Sequence, residues 1–178
     1  MSKRFTRLWL FFLFMALFSA TYQLGSMSTI TMNDAQLFMD EFEELTADID
    51  AMGIFFHNTT LALVMFVPGF GIGWGLFSAW STGLAFAAIA TTMPEAAIPE
   101  PLAILYLTPF GILELVAYSL ATSSSLVLFL ALVRRQNLHL TLRNTGIEIA
   151  VVVGLLLAGG LVEYQFIESL QNIQMPEL

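Results

Sequence analysis

The chain carries no Asp, Glu, Lys or Arg between residues 54 and 92, and this uncharged run of 39 residues limits its fold more than any other feature. A single helix of that length, at about 1.5 Å per residue, would be nearly twice as long as the roughly 30 Å hydrocarbon core of a membrane. The run therefore predicts two spans, with the turn at Pro68-Gly69. The first arm is short and the turn is uncharged, so we expect protein to shield the turn from lipid.

Composition supports a membrane protein throughout, because 57% of the residues are hydrophobic and only 11% are charged. The first apolar run follows Lys3, Arg4 and Arg7. A cleaved signal peptide is the alternative interpretation, but small residues are poorly placed for cleavage, so we interpret the run as a retained helix. The fold class is an all-α, polytopic membrane helix bundle in a single domain, 1–178. Its predicted transmembrane helices are about 8–25, 54–67, 70–92, 109–133 and 146–167.

The charges separate along the chain. Every Lys and Arg lies in residues 3–7 or 134–143, whereas most acidic residues lie in 34–50, 95–100 and the C-terminal tail. Basic loops stay in the cytoplasm. Five crossings of the cell membrane then place the N-terminus in the cytoplasm and the C-terminus outside.

The acidic segment after the first span predicts an amphipathic helix outside the membrane, about 33–52. Phe38, Phe42, Leu45, Ile49 and Met52 recur at steps of four, three, four and three, which places them on one face. We expect this face to pack on the protein's own outer surface or on a second copy, with a docking site for another protein as the alternative. A surface-lying membrane anchor is disfavoured, because such helices are usually basic.

Two helix starts are marked by capping residues. Thr108 followed by Pro109 indicates the start of the fourth span. The apolar residues before it, 102–108, then form either a re-entrant half-helix or a flap. Thr145 and Glu148 have the spacing of a capping box, so we interpret Glu148 as a cap of the last span.

The stretch "VPGFGIGWGLF" resembles a glycine-rich phosphate loop only in its composition. It has no preceding strand, no lysine and no acidic ribose partner. Small residues instead recur every four positions, at Gly71, Gly75, Ala79, Gly83 and Ala87, which favours close helix packing in lipid. The predicted turn and packing positions are Pro68, Gly69, Gly71, Gly73, Gly75, Gly83, Pro109 and Gly111.

Three polar residues are expected at one depth inside the bundle. Asn58, Glu114 and Glu163 each lie about 6 to 8 Å from the outer end of their predicted helix. A carboxylate at that depth is costly unless it finds a partner or takes up a proton, so both glutamates should face the interior. Asn58 is placed to donate to one of them, and His57 or Tyr118 are candidates to join. One interpretation is a hydrogen-bonded clasp between three helices, and the other is a polar site or proton-linked switch.

Enzyme chemistry is not indicated. His57 and His139 are expected on opposite faces of the membrane, so they do not form a metal pair, and no base accompanies the serine and threonine hydroxyls. We predict no catalytic residue, metal or cofactor, and no nucleic-acid partner. The expected partners are the lipid bilayer and either a second copy or a larger membrane complex.

Residues 55–166 resemble the stage II sporulation protein M family of multi-helix membrane proteins. The family pattern falls on Phe55 and Asn58; on Gly69, Gly73 and Gly75; on Gly83; and on Pro109, Gly111 and Glu114, with Glu163 at a position where members tend to carry Glu. Thr82 and Phe110 replace the Asn and His of the pattern. The resemblance implies a non-enzymatic membrane component, since the namesake acts as a scaffold for cell-wall hydrolases. We therefore expect a scaffold or accessory subunit of a cell-envelope complex, with a small-solute or ion transport component as the alternative.

Overall fold

The computed structural model describes residues 3–46, 50–95, 99–135 and 138–174. All regular secondary structure in these ranges is helical, which confirms an all-α bundle. The seven helices are α1 Lys3–Ser26, α2 Met32–Thr46, α3 Ala51–Met65, α4 Phe70–Thr92, α5 Pro101–Leu107, α6 Pro109–Val133 and α7 Leu138–Gln174.

Four of these helices, α1, α4, α6 and α7, are long and apolar enough to cross a membrane. The shorter apolar helix α3 forms a hairpin with α4, in agreement with the expected division of the uncharged run. Helices α4 and α6 begin and end at the predicted residues. We call the end of the bundle where α3 and α6 begin the acidic end, and the end where α1 begins and α6 meets α7 the basic end.

Helix α6 lies at the centre of the bundle and contacts α1, α3, α4, α5 and α7. Helix α6 and its neighbours supply a core of fully buried side chains, including Met65 on α3, Leu115 on α6, and Val152 and Leu156 on α7. Because α6 is surrounded by other helices, most of the polar side chains along it face protein instead of lipid.

The acidic helix is shorter than predicted. Helix α2 ends at Thr46, and residues 47–49, including Ile49, lie outside the described part of the chain. Asp50 has an extended backbone and its carboxylate accepts a hydrogen bond from the Gly53 amide at 2.7 Å, so Asp50 caps a new helix and Met52 belongs to α3. Helix α2 packs on α4, and its Ala35 side chain is fully buried.

The predicted start of the last span is wrong. Helix α7 runs unbroken from Leu138, so Thr145 lies inside it and its hydroxyl donates to the Thr141 carbonyl at 3.0 Å. Glu148 therefore does not cap the helix. Its carboxylate is instead bound by a side chain of α1.

The apolar residues before α6 form the short helix α5, which packs on α6 and α1. At about 1.5 Å per residue α5 spans roughly 10 Å, far less than a membrane crossing. The Tyr106 hydroxyl contacts the Ser19 hydroxyl at 2.6 Å and joins α5 to α1. Thr108 caps α6 as expected, accepting from the Gly111 amide at 3.1 Å, and Pro109 occupies the first turn.

Candidate functional site

The three predicted intramembrane polar residues come together near the acidic end. The Asn58 side-chain amide on α3 donates to Glu114 Oε1 on α6 at 2.8 Å. Glu163 on α7 lies close enough to Glu114 for the two carboxyl groups to interact electrostatically. Asn58 is buried, and both glutamates are partly buried. We call Glu114 and Glu163 the carboxyl pair. Together with Asn58, the carboxyl pair joins α3, α6 and α7.

Apolar contacts on either side fix the level of the carboxyl pair. The Phe110 and Phe166 rings, one turn towards the acidic end, have centroids 5.7 Å apart. On α7, Gly159 lies one turn from Glu163 in the other direction, and a Cβ there would lie 3.7 Å from Cβ of Leu113, the residue before Glu114. Helices α6 and α7 therefore pack closely across Glu114 and Glu163.

The surroundings of the carboxyl pair are aromatic and contain no Lys or Arg among the described side chains. Tyr22 on α1 and Tyr118 on α6 lie close enough to interact electrostatically with Glu114. Glu163 Oε2 is shielded and accepts no hydrogen bond in the described structure. His57, which the sequence suggested as a further member, is exposed.

A second polar group lies towards the basic end and was missed from the sequence. Arg7 on α1 donates from Nε to Glu148 Oε1 on α7 at 2.9 Å, and from its terminal nitrogens to the Ser123 and Ser124 hydroxyls, each at 2.7 Å. The Ser124 hydroxyl also donates to Glu148 Oε2 at 2.5 Å. This Arg7–Glu148 network joins α1, α6 and α7, and its two charged side chains are 25% and 23% exposed.

The sequence contains one signal for this network. Glu148 is an acid within an apolar segment, and such a residue normally has a partner. Ser123 and Ser124 are buried polar residues on another predicted span. Arg7 was assigned only to the topology of the first helix, and nothing in its local sequence indicates a partner 141 residues away.

The hairpin turn is shielded by α6, as expected for an uncharged turn in an apolar chain. Gly69 has a positive φ of 78°, which glycine adopts without strain, and it follows Pro68 directly. The Ser125 hydroxyl donates to the Val67 carbonyl at 2.6 Å. The Trp74 indole on α4 donates to the Leu61 carbonyl on α3 at 3.2 Å and joins the two arms of the hairpin.

The predicted small-residue ridge on α4 lies entirely inside the monomer, since Gly71, Gly75, Ala79, Gly83 and Ala87 are all buried. A Cβ at Gly75 would collide with the Thr122 hydroxyl on α6, and one at Gly83 would collide with the Tyr22 carbonyl on α1. The sequence did not identify the reciprocal position, Gly25 on α1, where a Cβ would collide with the Trp80 carbonyl. These glycines let α4 approach α1 and α6 closely.

Gly111 and Gly73, which the sequence also predicted as turn or packing positions, have different surroundings. Gly111 packs against α5, where a Cβ would lie 2.5 Å from the Ile104 carbonyl oxygen. Gly73 is exposed and has open space around it, so it makes no interhelix contact in the monomer. The motif glycines of α4 therefore include positions that pack against other helices, such as Gly75 and Gly83, and one exposed position, Gly73.

The described residues include no group of three or more His, Asp or Glu side chains arranged to hold a metal ion. The side chains of the two polar groups offer hydrogen bonding, charge pairing and proton exchange. Both groups connect α6 to α7, one near each end of the bundle.

Comparison with known proteins places the chain in a family. Neither a curated protein nor a solved structure matches it. The family model described as Stage II sporulation protein M matches residues 7–164, from the arginine of the Arg7–Glu148 network to the residue after Glu163. This range covers most of the chain and includes both polar groups, and the protein therefore belongs to the stage II sporulation protein M family.

Proposed function

We propose that the protein is a non-enzymatic scaffold or accessory subunit of a cell-envelope membrane complex. The observation that carries this proposal is the use of its interior polar side chains, which join helices to one another. Asn58 binds Glu114 across α3 and α6, Arg7 binds Glu148 across α1 and α7, and Ser125 binds the α3–α4 turn. Hydrogen bonds and an ion pair near both ends of the bundle keep its helices in a fixed arrangement. This suits a subunit that presents a constant surface to partner proteins.

The surface of α7 supports self-association as the mode of assembly. Gly146, Ala150, Gly154 and Ala158 recur every four residues and are all exposed. A Cβ at Gly146 or Gly154 would meet no atom within 4 Å, in contrast to the buried glycines of α4. Small residues at this spacing permit close helix contact in lipid, and the monomer leaves these positions uncovered.

The experiment compares two equally open glycines on different helices. Gly154→Leu places a large side chain in the α7 face, whereas Gly73→Leu places the same side chain at an exposed position of α4. A Cβ at either position meets no atom within 4 Å in the monomer. Oligomer size is measured in mild detergent by light scattering, and in liposomes by energy transfer between labelled chains. We expect Gly154→Leu to weaken association at least tenfold, about 1.4 kcal/mol, while Gly73→Leu does not.

A wild-type protein that is monomeric in liposomes would exclude self-association through α7. Equal loss of association in the two variants would also exclude it, because the effect would then not be specific to the α7 face. Secondary structure by circular dichroism is the control for folding of each variant.

For the orientation, we propose that the basic end faces the cytoplasm, with the N-terminus inside and the C-terminus outside. The support is the confinement of all Lys and Arg to residues 3–7 and 134–143. A reporter active only in the cytoplasm should be active when fused at Gln136 and inactive when fused at Leu178. Activity at Leu178 would overturn the orientation.

Transport of a small solute or ion is the second candidate. It is favoured by the carboxyl pair, which lacks a basic partner among the described side chains although it lies in the spanning helices α6 and α7. Flux of protons or alkali ions through purified protein in liposomes, abolished by Glu114→Gln with assembly intact, would establish transport and exclude the scaffold function. Flux no greater than in empty liposomes would exclude transport.

A further inference from the structure

The two intramembrane acid sites differ in how their charge is balanced. Glu148 forms an ion pair with Arg7 at 2.9 Å. Glu114 and Glu163 form no ion pair with any described residue, and the basic residues of the sequence lie in residues 3–7 and 134–143. Along α6, Glu114 is about 30 Å from Arg134 at 1.5 Å per residue. No Lys or Arg side chain in the described part of the chain therefore balances the charge of the carboxyl pair.

The hydrogen bonds made by the carboxyl pair indicate that a proton is the positive charge that balances it. Asn58 supplies one N–H, and it goes to Glu114 Oε1. Glu163 Oε2 is shielded and accepts no hydrogen bond from the described residues. Two ionised carboxylates accept hydrogen bonds and donate none, so they cannot bond to each other. A contact between them becomes a hydrogen bond only when one of the two carries a hydrogen.

A metal ion suits this site less well than a proton. Alkali and alkaline-earth cations prefer shells of six or more oxygen ligands. Here the Asn58 side chain presents its N–H group to Glu114, and this donor would repel a cation bound to the same oxygen. No His, Asp or Glu among the described residues completes a ligand set of three.

We propose that Glu114 and Glu163 together bind one exchangeable proton from the aqueous phase at the acidic end, and that this proton closes the contact between α6 and α7. Binding changes the charge of the pair from two negative charges to one. The proton becomes the hydrogen of a carboxyl-to-carboxylate hydrogen bond, and the Asn58 N–H stabilises the remaining negative charge. Loss of the proton leaves two like charges in contact and weakens the packing of α6 on α7.

The neighbouring titratable groups do not supply this proton. Tyr22 on α1 and Tyr118 on α6 are neutral phenols at pH 7 and carry no positive charge. Tyr164 follows Glu163 on α7 and is also a phenol. On α3, His57 is exposed next to Asn58 and forms no salt bridge in the described structure. Because His57 is adjacent in sequence to Asn58, it needs its own control.

Infrared spectroscopy of the full protein in liposomes tests the proposal directly. At pH 7 we expect a carbonyl stretch of a protonated carboxyl group that shifts in D2O. The band should disappear when the pH is raised, and it should be absent from Glu163→Gln and from Glu114→Gln. Glu168→Gln is the matched control, since it makes the same change on an exposed residue of the same helix and should retain the band. His57→Gln should retain it as well.

Stability against pH gives a second measurement. If the folded protein holds one proton that the unfolded chain has released, its unfolding equilibrium constant should rise up to tenfold per pH unit above about pH 5, until the folded protein also releases that proton. Glu163→Gln should remove this slope, because the glutamine amide supplies a permanent N–H in place of the exchangeable proton. The slope should be independent of Na⁺ and K⁺ concentration at constant ionic strength.

Absence of the protonated band from the wild type at pH 7 would overturn the proposal. A band that persists in both single Gln variants would also overturn it, as would a slope that depends on Na⁺ or K⁺. The infrared measurement on the wild type does not require any variant to fold. These results are independent of whether α7 self-associates, so failure of the proton site and failure of the scaffold function are separable.

Discussion

Removal of Arg7 from the Arg7–Glu148 network would leave the Glu148 charge without its ion-pair partner. Arg7→Met keeps most of the aliphatic stem but removes the hydrogen bonds to Glu148, Ser123 and Ser124, leaving the Glu148 carboxylate with only the Ser124 hydroxyl. Breaking a fully buried ion pair costs about 3 to 5 kcal/mol, whereas an exposed pair is worth about 1 kcal/mol or less. Both charged side chains here are about one-quarter exposed.

We therefore expect Arg7→Met to lower the free energy of unfolding by about 2 kcal/mol, roughly a 30-fold change in the equilibrium constant. The assay is equilibrium unfolding in mixed micelles of a mild detergent and dodecyl sulfate, followed by tryptophan fluorescence. Arg143→Met on α7 is the matched control, since Arg143 is exposed.

The double variant Arg7→Met/Glu148→Met should recover part of the loss, because it leaves no charge without a partner in the apolar segment. Single variants that both remain within about 0.5 kcal/mol of wild type would refute the reasoning, since the network would then contribute no net stability. A double variant that loses the sum of the two single effects would show that the two side chains act independently.

Three further substitutions test the packing and the hydrogen bonds of the bundle. Gly83→Ala should destabilise the protein by about 1 to 3 kcal/mol, because its Cβ collides with a backbone carbonyl of α1, while Gly73→Ala in open space should not; thermal unfolding in detergent distinguishes them. Asn58→Leu removes the only described donor to Glu114 and should cost about 1 to 3 kcal/mol in the same assay, whereas Asn58→Gln, which retains an amide, should cost less. Ser125→Ala leaves the Val67 carbonyl at the turn without its hydroxyl donor, so hydrogen exchange of residues 66–72 should accelerate; unchanged exchange would mean that the turn does not depend on α6.

Much of the fold was predictable because its signals are local in the sequence. The uncharged run exceeds one membrane thickness and contains Pro68 and Gly69, so a hairpin follows from length and turn chemistry. Thr108 and Pro109 cap α6 through contacts within one turn. The common depth of Asn58 and Glu114 was also predictable, since the membrane provides one axis along which positions on different helices are compared.

One error occurred where a distant residue overrides a local rule, and another where a helix cap interrupts an apolar pattern. Thr145 and Glu148 have the spacing of a capping box, but Glu148 is bound by Arg7 and the helix continues through both residues. At the end of α2, a pattern of apolar residues continued across Asp50, yet the Asp50 carboxylate caps α3 and divides the pattern between two helices. Periodicity reports which face a residue occupies and does not report where a helix ends.

By itself, the sequence determined the class of protein, the division into apolar spans and the residues that must be paired inside a membrane. These follow from hydrophobicity, length and the cost of burying charge, which are properties of single segments. Only the tertiary structure decided which partners meet: Arg7 with Glu148, Asn58 with Glu114, and Gly25 and Gly83 each against a backbone carbonyl of the facing helix. Pairing depends on how helices rotate and approach, and that is set by the packing of the whole bundle.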